Sequence, residues 1–235
     1  MSDHLKIRVA KDAGFCFGVR DAIEKAREVA QEHGKVYMLG DIVHNERVVK
    51  DLAQENVKVV DSLAEVKNAP VLFRAHGTIP ELWVEAGRKD LTIVDATCPL
   101  VHEIHDEIKK LDVEGRKLII IGDHGHDEVV AIRAQVTEAI IIASIAEAEA
   151  LPRMKKAGVV SQSTQMIENV QEIIGILSMK IFDLRFVNTV CFPTRRNQGQ
   201  IKEIAPISDV MIIVGSFTSA NTKRLHEVSL SLNPR

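Results

Sequence analysis

The stretch GFCFGVRDAIEKA, residues 14–26, places Cys16 between two phenylalanines, directly ahead of apolar residues at helical spacing. The chain has 235 residues and only three cysteines in all. Cys98 lies in DATCPLVHEIH, residues 95–105, and Cys191 in NTVCFPTRRNQ, residues 188–198. Each of these also opens a stretch that reads as a helix. Counting outward from the cysteines gives the fold. An interval of 24 residues separates Cys16 from Gly40, Cys98 from Gly122 and Cys191 from Gly215. Each interval holds a helix and then a β-rich run ending in Gly-Asp or Gly-Ser. A polar loop and another helix follow each time: DIVHNERVVKDL, DHGHDEVVAIRA and SFTSANTKRLHEV. We read an internal threefold repeat.

Amphipathic helical stretches alternate with the β-rich runs KIRVA, KVYMLG, VLFRAHG, LTIVDATC, KLIIIGD, VVSQST and VMIIVGS. Near-continuous apolar strands alternating with helices mean α/β layers with mostly parallel sheets. The expected architecture is a trefoil of three pseudo-threefold-related α/β lobes. They span residues 16–97, 98–190, and 191–235 together with 1–15. The first two repeats continue to a third strand, ending at His76 and near Ser163. The counterpart in the third repeat falls beyond Arg235, so the third lobe is expected to be incomplete. In open α/β sheets ligands bind at the carboxyl ends of strands. Three lobes about one axis bring those ends, and the three thiols, to one centre.

Composition narrows the function. With 46% apolar residues the chain can bury a sizeable core, and a formal charge of −3 argues against a nucleic-acid or anionic-membrane surface. No apolar run approaches the ~20 residues of a membrane span, and the N-terminus has no signal-peptide core. A cytoplasmic monomer is expected. Three thiols cannot close into internal disulfides, and a reducing cytosol disfavours such bonds.

Thiols at helix N-termini are placed where negative charge is stabilised. Three thiolates at one centre suit an iron–sulfur cluster, with one iron left without a protein thiolate and open to a substrate oxygen. Zinc with three cysteines and a fourth ligand is the alternative, though no C-x2-C pair is present. Three unrelated core thiols are the plainest reading. The polar groups at the corresponding strand ends are His44 with Asn45, His76, His124 with His126 and Glu128, Ser163 with Thr164, and Ser219 with Asn221. Imidazoles, hydroxyls and an amide make a cradle for a compact anion without Lys or Arg, and a diphosphate fits. Glu128 is either a solvated first-turn glutamate or a proton donor whose pKa is raised by burial. His126 and Ser163 are placed to orient it.

The motifs GFCFGV, IVHN, RAHG, DATCPLV, GHDEV, QST, VCFPTRRNQ and SAN occur in this order. Together they resemble the LytB-type 4-hydroxy-3-methylbut-2-enyl diphosphate reductase family, from about residue 5 to the end. The resemblance implies one [4Fe–4S] cluster per chain, held by Cys16, Cys98 and Cys191. It implies reductive dehydroxylation of an allylic diphosphate to isopentenyl and dimethylallyl diphosphates, with electrons from a ferredoxin or flavodoxin. By position, His44, His76, His126, Ser163, Thr164, Ser219 and Asn221 would bind substrate, and Glu128, Ser163 and His126 would serve the proton transfer. Three departures stand out. Ser163 occupies a position usually held by Thr. Ala220 replaces a frequent Ser, which removes a hydrogen bond of about 1–2 kcal/mol if that bond is charge-assisted. The family's C-terminal, Ser-bearing strand end has no counterpart here, so weaker substrate binding and a looser third lobe are expected.

Overall fold

The computed structural model describes residues 6–233. The first repeat runs α1 (Phe17–His33), β1 (Val36–Leu39), α2 (Glu46–Gln54), β2 (Val57–Val60), a single 3-10 turn (Leu63–Glu65), β3 (Val71–Phe73), α3 (Pro80–Arg88) and β4 (Ile93–Asp95). The second runs α4 (Pro99–Val113), β5 (Lys117–Ile121), α5 (Asp127–Arg133), β6 (Ile140–Ile142), α6 (Ile145–Ala150), β7 (Met154–Ser161), α7 (Ile167–Lys180) and β8 (Ile181–Phe186). The two strand orders are β2-β1-β3-β4 and β6-β5-β7-β8, and every pairing is parallel. The same order arises twice because the same sequence of elements arises twice.

Alternation along the strands splits the side chains between two faces. Val36, Met38 and Leu72 pack with α1 and α2, whereas Tyr37, Val71 and Phe73 pack with the 3-10 turn and α3. In the second sheet, Leu118, Ile120 and Val160 face α4 and α5, while Ile119, Ile121 and Val159 face α6 and α7. Burial on both faces explains runs such as LIII, which carry no polar alternation. Each sheet reverses its strand order between its first and third strands. That switch point opens a crevice at their carboxyl ends. The loops leaving β1, β3, β5 and β7 there carry His44, His76, His126 and Ser163.

The repeated glycines have a steric cause. A Cβ at Gly40 would lie 2.9 Å from Arg74 Nη1, and one at Gly122 would lie 2.6 Å from Val129 Cγ2. At Gly215 it would overlap the Thr222 side chain. In the second repeat the glycine thus lets the following helix close down on the strand end, and in the third it admits the Thr222 side chain of the helix after it.

The third repeat departs from expectation. It supplies α8 (Phe192–Ile204) and α9 (Ala220–Leu232), but among the described residues neither KIRVA nor VMIIVGS forms a strand. Met211 and Ile213 pack onto Ile201, Ala205 and Val228 beneath α8 and α9. Val210, Ile212 and Val214 face outward, 73%, 79% and 91% exposed, as do Ile7 and Val9. The alternation of a strand is present, but a parallel strand needs a neighbour to accept its hydrogen bonds, and no described residue provides one. Residues 1–5 and 234–235 of the expected third lobe lie outside the described residues.

Gly122→Ala should lower stability by about 1–3 kcal/mol, because the new methyl meets the β-branched Val129 in a filled core. Gly175→Ala, on the open face of α7 with nothing within 4 Å, should raise it by up to about 1 kcal/mol. Paired thermal melts check both signs.

Candidate active site

Cys16, Cys98 and Cys191 are the N-cap residues of α1, α4 and α8. None makes a side-chain capping bond, and none of the three helices has an acidic residue in its first turn. Three positive helix ends are thus left uncompensated beside three sulfurs. The thiols are brought together. A Cβ at Gly18 would lie 2.5 Å from Cys98 Sγ, so glycine at that position admits the sulfur against the start of α1. Phe17 and Phe192, each directly after its cysteine, stack at 5.6 Å with an interplanar angle of 9°. All three cysteines are free. Burial pushes the Cys98 thiol up to about 11, and the charges of Cys16 and Cys191 push the same way. Burial likewise raises Cys191, with Glu128 and Cys16 adding to it. A group that takes three thiolates and carries compensating positive charge fits this donor set.

The loops behind the cysteines are tied to the strand ends. The Cys98 N–H donates to the Ala75 carbonyl and the Cys191 N–H to the Ser163 carbonyl, each at 3.0 Å. Thus the residue before His76 holds one cysteine, and Ser163 holds another. Gln198 on α8 donates to the Gln165 carbonyl at 3.0 Å and accepts from the Ile167 N–H at 3.3 Å, which fixes α8 against the QST loop.

Glu128 is 2% exposed, so it is not a solvated first-turn residue. Its Oε1 accepts from the Ser163 N–H at 2.6 Å and its Oε2 from the Ser163 hydroxyl at 2.8 Å. Burial nevertheless raises its pKa above the usual carboxylate value, with Asp123 adding to the rise and the two Ser163 bonds opposing it. His126 caps α5, its Nδ1 accepting from the Glu128 N–H at 3.1 Å. That bond selects the tautomer with Nε2–H free to donate.

Three imidazoles cluster nearby. The His44 and His76 rings stack at 4.3 Å, and His126 stands edge-on to both, at 5.2 and 5.7 Å. Burial first, then the neighbouring imidazoles, hold His76 well below the ordinary value; His126 is lowered by burial and His44. His76 Nδ1 is buried without a partner, and so is Asn221 Oδ1. Unpaired buried polar atoms call for a ligand. Ser219 caps α9, its Oγ accepting from the Thr222 N–H at 3.3 Å. The loop before it reaches α2, where the Ser216 and Thr218 hydroxyls donate to Glu46 at 2.8 and 3.1 Å. Arg224 on α9 pairs with Asp123 in the GDHGHDE loop. The strand-end loops of the first two repeats and the loop before α9 therefore converge.

The sequence profile of the LytB protein family matches residues 7–235. The chain belongs to the LytB family. A relative from Geobacter metallireducens, a 4-hydroxy-3-methylbut-2-enyl diphosphate reductase, is 39% identical over 232 residues, spanning 98% of this chain and 82% of its own. The solved E-1-hydroxy-2-methyl-but-2-enyl-4-diphosphate reductase of Plasmodium falciparum superposes with a TM-score of 0.90 at 29% identity, over 94% of this chain and 72% of that one. A second, (E)-4-hydroxy-3-methyl-but-2-enyl diphosphate reductase, gives 0.73 at 36% identity, over 97% and 83%.

Against the LytB motifs, two residues depart from the sequence reading. His124 turns away, its Nε2 2.8 Å from Glu147 on α6 and its side chain 56% exposed. The cradle also contains an arginine. Arg74 Nη1 lies 2.8 Å from Asp127 Oδ2, which is itself 3.7 Å from His44 Nε2. The R of RAHG and the D of GHDEV were both in the quoted motifs, but their partnership across 53 residues has no periodic signal. His44, His76 and Asp127 present ligand atoms within 4.8 Å of one another. Arg74 on the carboxylate oxygen opposes a cation there.

His105 of α4 packs over Gly77 and is 5% exposed. Burial lowers its pKa from 6.5 to about 4, with His102 and Lys109 acting in the same direction. A depressed imidazole contributes stability above its unfolded pKa and loses it as pH falls, here between 6.5 and about 4. His76 and His126 act in the same direction. Stability should therefore fall on acidification through this window, with a slope of up to about 1.4 kcal/mol per pH unit for each such group. His105→Gln should flatten that dependence in melts from pH 7.5 to 4.5; an unchanged slope would remove His105 from the account.

Proposed function

We propose that this chain removes the hydroxyl of (E)-4-hydroxy-3-methylbut-2-enyl diphosphate reductively, the terminal step of the methylerythritol phosphate route to isoprenoids. The overall change takes two electrons and two protons: the allylic C–O bond breaks, a C–H bond forms, and oxygen leaves as water. Protonation at one or the other end of the allyl unit gives isopentenyl or dimethylallyl diphosphate. The observation that carries the reading is the meeting of three N-cap thiols with a buried glutamate whose pKa is raised by burial, beside a cluster of imidazoles.

Cys16, Cys98 and Cys191 would hold a [4Fe–4S] cluster, one per chain, which when bound supplies electrons and a Lewis-acidic iron without a protein thiolate. The rest is done by this chain's residues. His44, His76 and His126, with Ser219, Asn221 and Thr164, receive the diphosphate; the Thr164 hydroxyl accepts from the Gln162 amide at 3.0 Å. The unpaired Nδ1 of His76 and Oδ1 of Asn221 gain partners in that complex. Asn221, as a neutral amide, can turn its NH2 toward phosphate. Glu128, whose pKa burial raises, donates a proton to the departing oxygen. The Ser163 hydroxyl, bonded to one oxygen of that carboxyl, and His126, bonded to its backbone, hold the acid in place and return its proton.

We take the three-lobed division at 16–97, 98–190, and 191–235 with 1–15 as the working unit of this cycle. A ferredoxin or flavodoxin supplies the electrons to a cytoplasmic, monomeric enzyme. Among the described residues no helix is long and apolar enough to cross a membrane. A cluster protein that binds the diphosphate without turnover is the weaker reading, since the relatives matching 98% of this chain are named as reductases. A zinc-stabilised trefoil has no assigned fourth ligand.

Glu128→Gln keeps the shape and the Ser163 contacts but not the acid. It should reduce kcat by at least about 100-fold with little change in KM. Turnover by anaerobically purified, brown protein with a chemical reductant measures this. Unchanged turnover would take Glu128 out of the proton path, and colourless protein containing zinc would overturn the cofactor.

A further inference from the structure

A free arginine beside three imidazoles would be the strongest diphosphate ligand in the cradle, since a guanidinium binds phosphate bidentately and never loses its charge. Arg74 is not free. We propose that Asp127 is a positioning residue that withholds the Arg74 guanidinium from the diphosphate and so sets how tightly the cradle holds substrate and products. This rests on the reading of the histidine cluster as the diphosphate site.

The arrangement is built rather than incidental. Arg74 follows β3 in the first repeat; Asp127 opens α5 in the second, directly between His126 and Glu128. One carboxylate oxygen, Oδ2, serves both Arg74 Nη1 at 2.8 Å and His44 Nε2 at 3.7 Å. Arg74 and Asp127 are 28% and 31% exposed, half-sheltered at the rim of the imidazoles. The guanidinium lies over Gly40, which has φ +69° and where a Cβ would come within 2.9 Å of Nη1. The third strand end, the first-strand glycine and the α5 start thus make one seat for the arginine. Its charge also reaches the histidines, lowering His76 and His126 a little further, while Asp127 opposes it at His126.

The chemistry gives this seat a purpose. Substrate and both products carry the same diphosphate. An added arginine contact would strengthen all of them alike, which lowers KM but slows product departure and does nothing for bond breaking. Pairing Arg74 with Asp127 makes the two side chains neutral together. The cradle then draws its affinity from imidazoles, hydroxyls and an amide, which release a diphosphate more readily than a guanidinium does.

The sign of the effect separates this role from a purely structural clamp between the first two repeats. Asp127→Asn should tighten binding of inorganic diphosphate to the cluster-loaded protein by about tenfold, equivalent to ~1.4 kcal/mol. KM and kcat should fall together, and inhibition by product should deepen. Arg74→Gln leaves a carboxylate facing the anion and should weaken binding by about tenfold. The double variant should return to within about threefold of the parent. Calorimetry with inorganic diphosphate measures all four proteins, with melting temperatures recorded alongside. If Asp127→Asn weakens binding or leaves it unchanged while the parent binds, the inference falls and the cradle stands. If the parent binds no inorganic diphosphate, the cradle falls and takes the inference with it.

Discussion

Three sulfurs share one partly buried space, and everything around them follows from the electrostatics of that choice. Deprotonating Cys98 is opposed first by burial and then by Cys16 and Cys191, as its rise to about 11 records. The chain counters this with helix ends rather than with cations. Each cysteine is the N-cap residue of a helix whose first turn is free of carboxylates. Those ends supply partial positive charge worth roughly 0.3–1 kcal/mol each, far too little to ionise three clustered thiols. The balance must come from a positively charged inorganic partner. Thiols bind such a partner as thiolates, so filling the site releases protons.

The same constraint shapes the substrate side. Anything bound beside the sulfurs sits close to negative charge, and a diphosphate adds more. Neutral imidazoles answer this better than fixed cations do, because they take up protons in proportion to the anion's demand. Burial and the neighbouring imidazoles disfavour a proton on His76, and burial and His44 disfavour one on His126. On the proposed reading of these imidazoles as the diphosphate site, a bound anion would reverse that preference. Glu128 belongs to the same logic. Burial raises its pKa despite two good hydrogen bonds from Ser163, and Asp123 adds to the rise.

Most of this was legible in the spacing of a few residues. The equal Cys-to-Gly intervals reflect a covalent fact: one helix and one strand take the same length of chain each time. Helix starts could be read because prolines and cysteines mark them locally, as at Pro99 and Pro193. The sequence reading failed where structure depends on distant partners. VMIIV has strand composition and strand alternation, yet with no neighbouring strand among the described residues it stays irregular, its odd face on α8 and α9 and its even face in solvent. The expected arginine-free cradle failed for the same reason. Arg74 and Asp127 meet only because two lobes close on each other.

Contacts between repeats also explain why the loops can be precise without being long. Asp127 joins the first repeat to the second through Arg74 and His44, Arg224 joins the third to the second through Asp123, and Glu46 joins the first to the third through Ser216 and Thr218. Each of these tethers lies within a few residues of a group assigned to the ligand: Glu46 near His44, Asp127 beside His126, Thr218 beside Ser219 and Arg224 close to Asn221. A shift of one repeat therefore moves part of the cradle and loosens a tether in the same motion. Because the tethers are partly exposed ion pairs and hydroxyl bonds, each contributes little alone. That weakness suits a ring that must hold three chain segments in register and still let a multiply charged product leave.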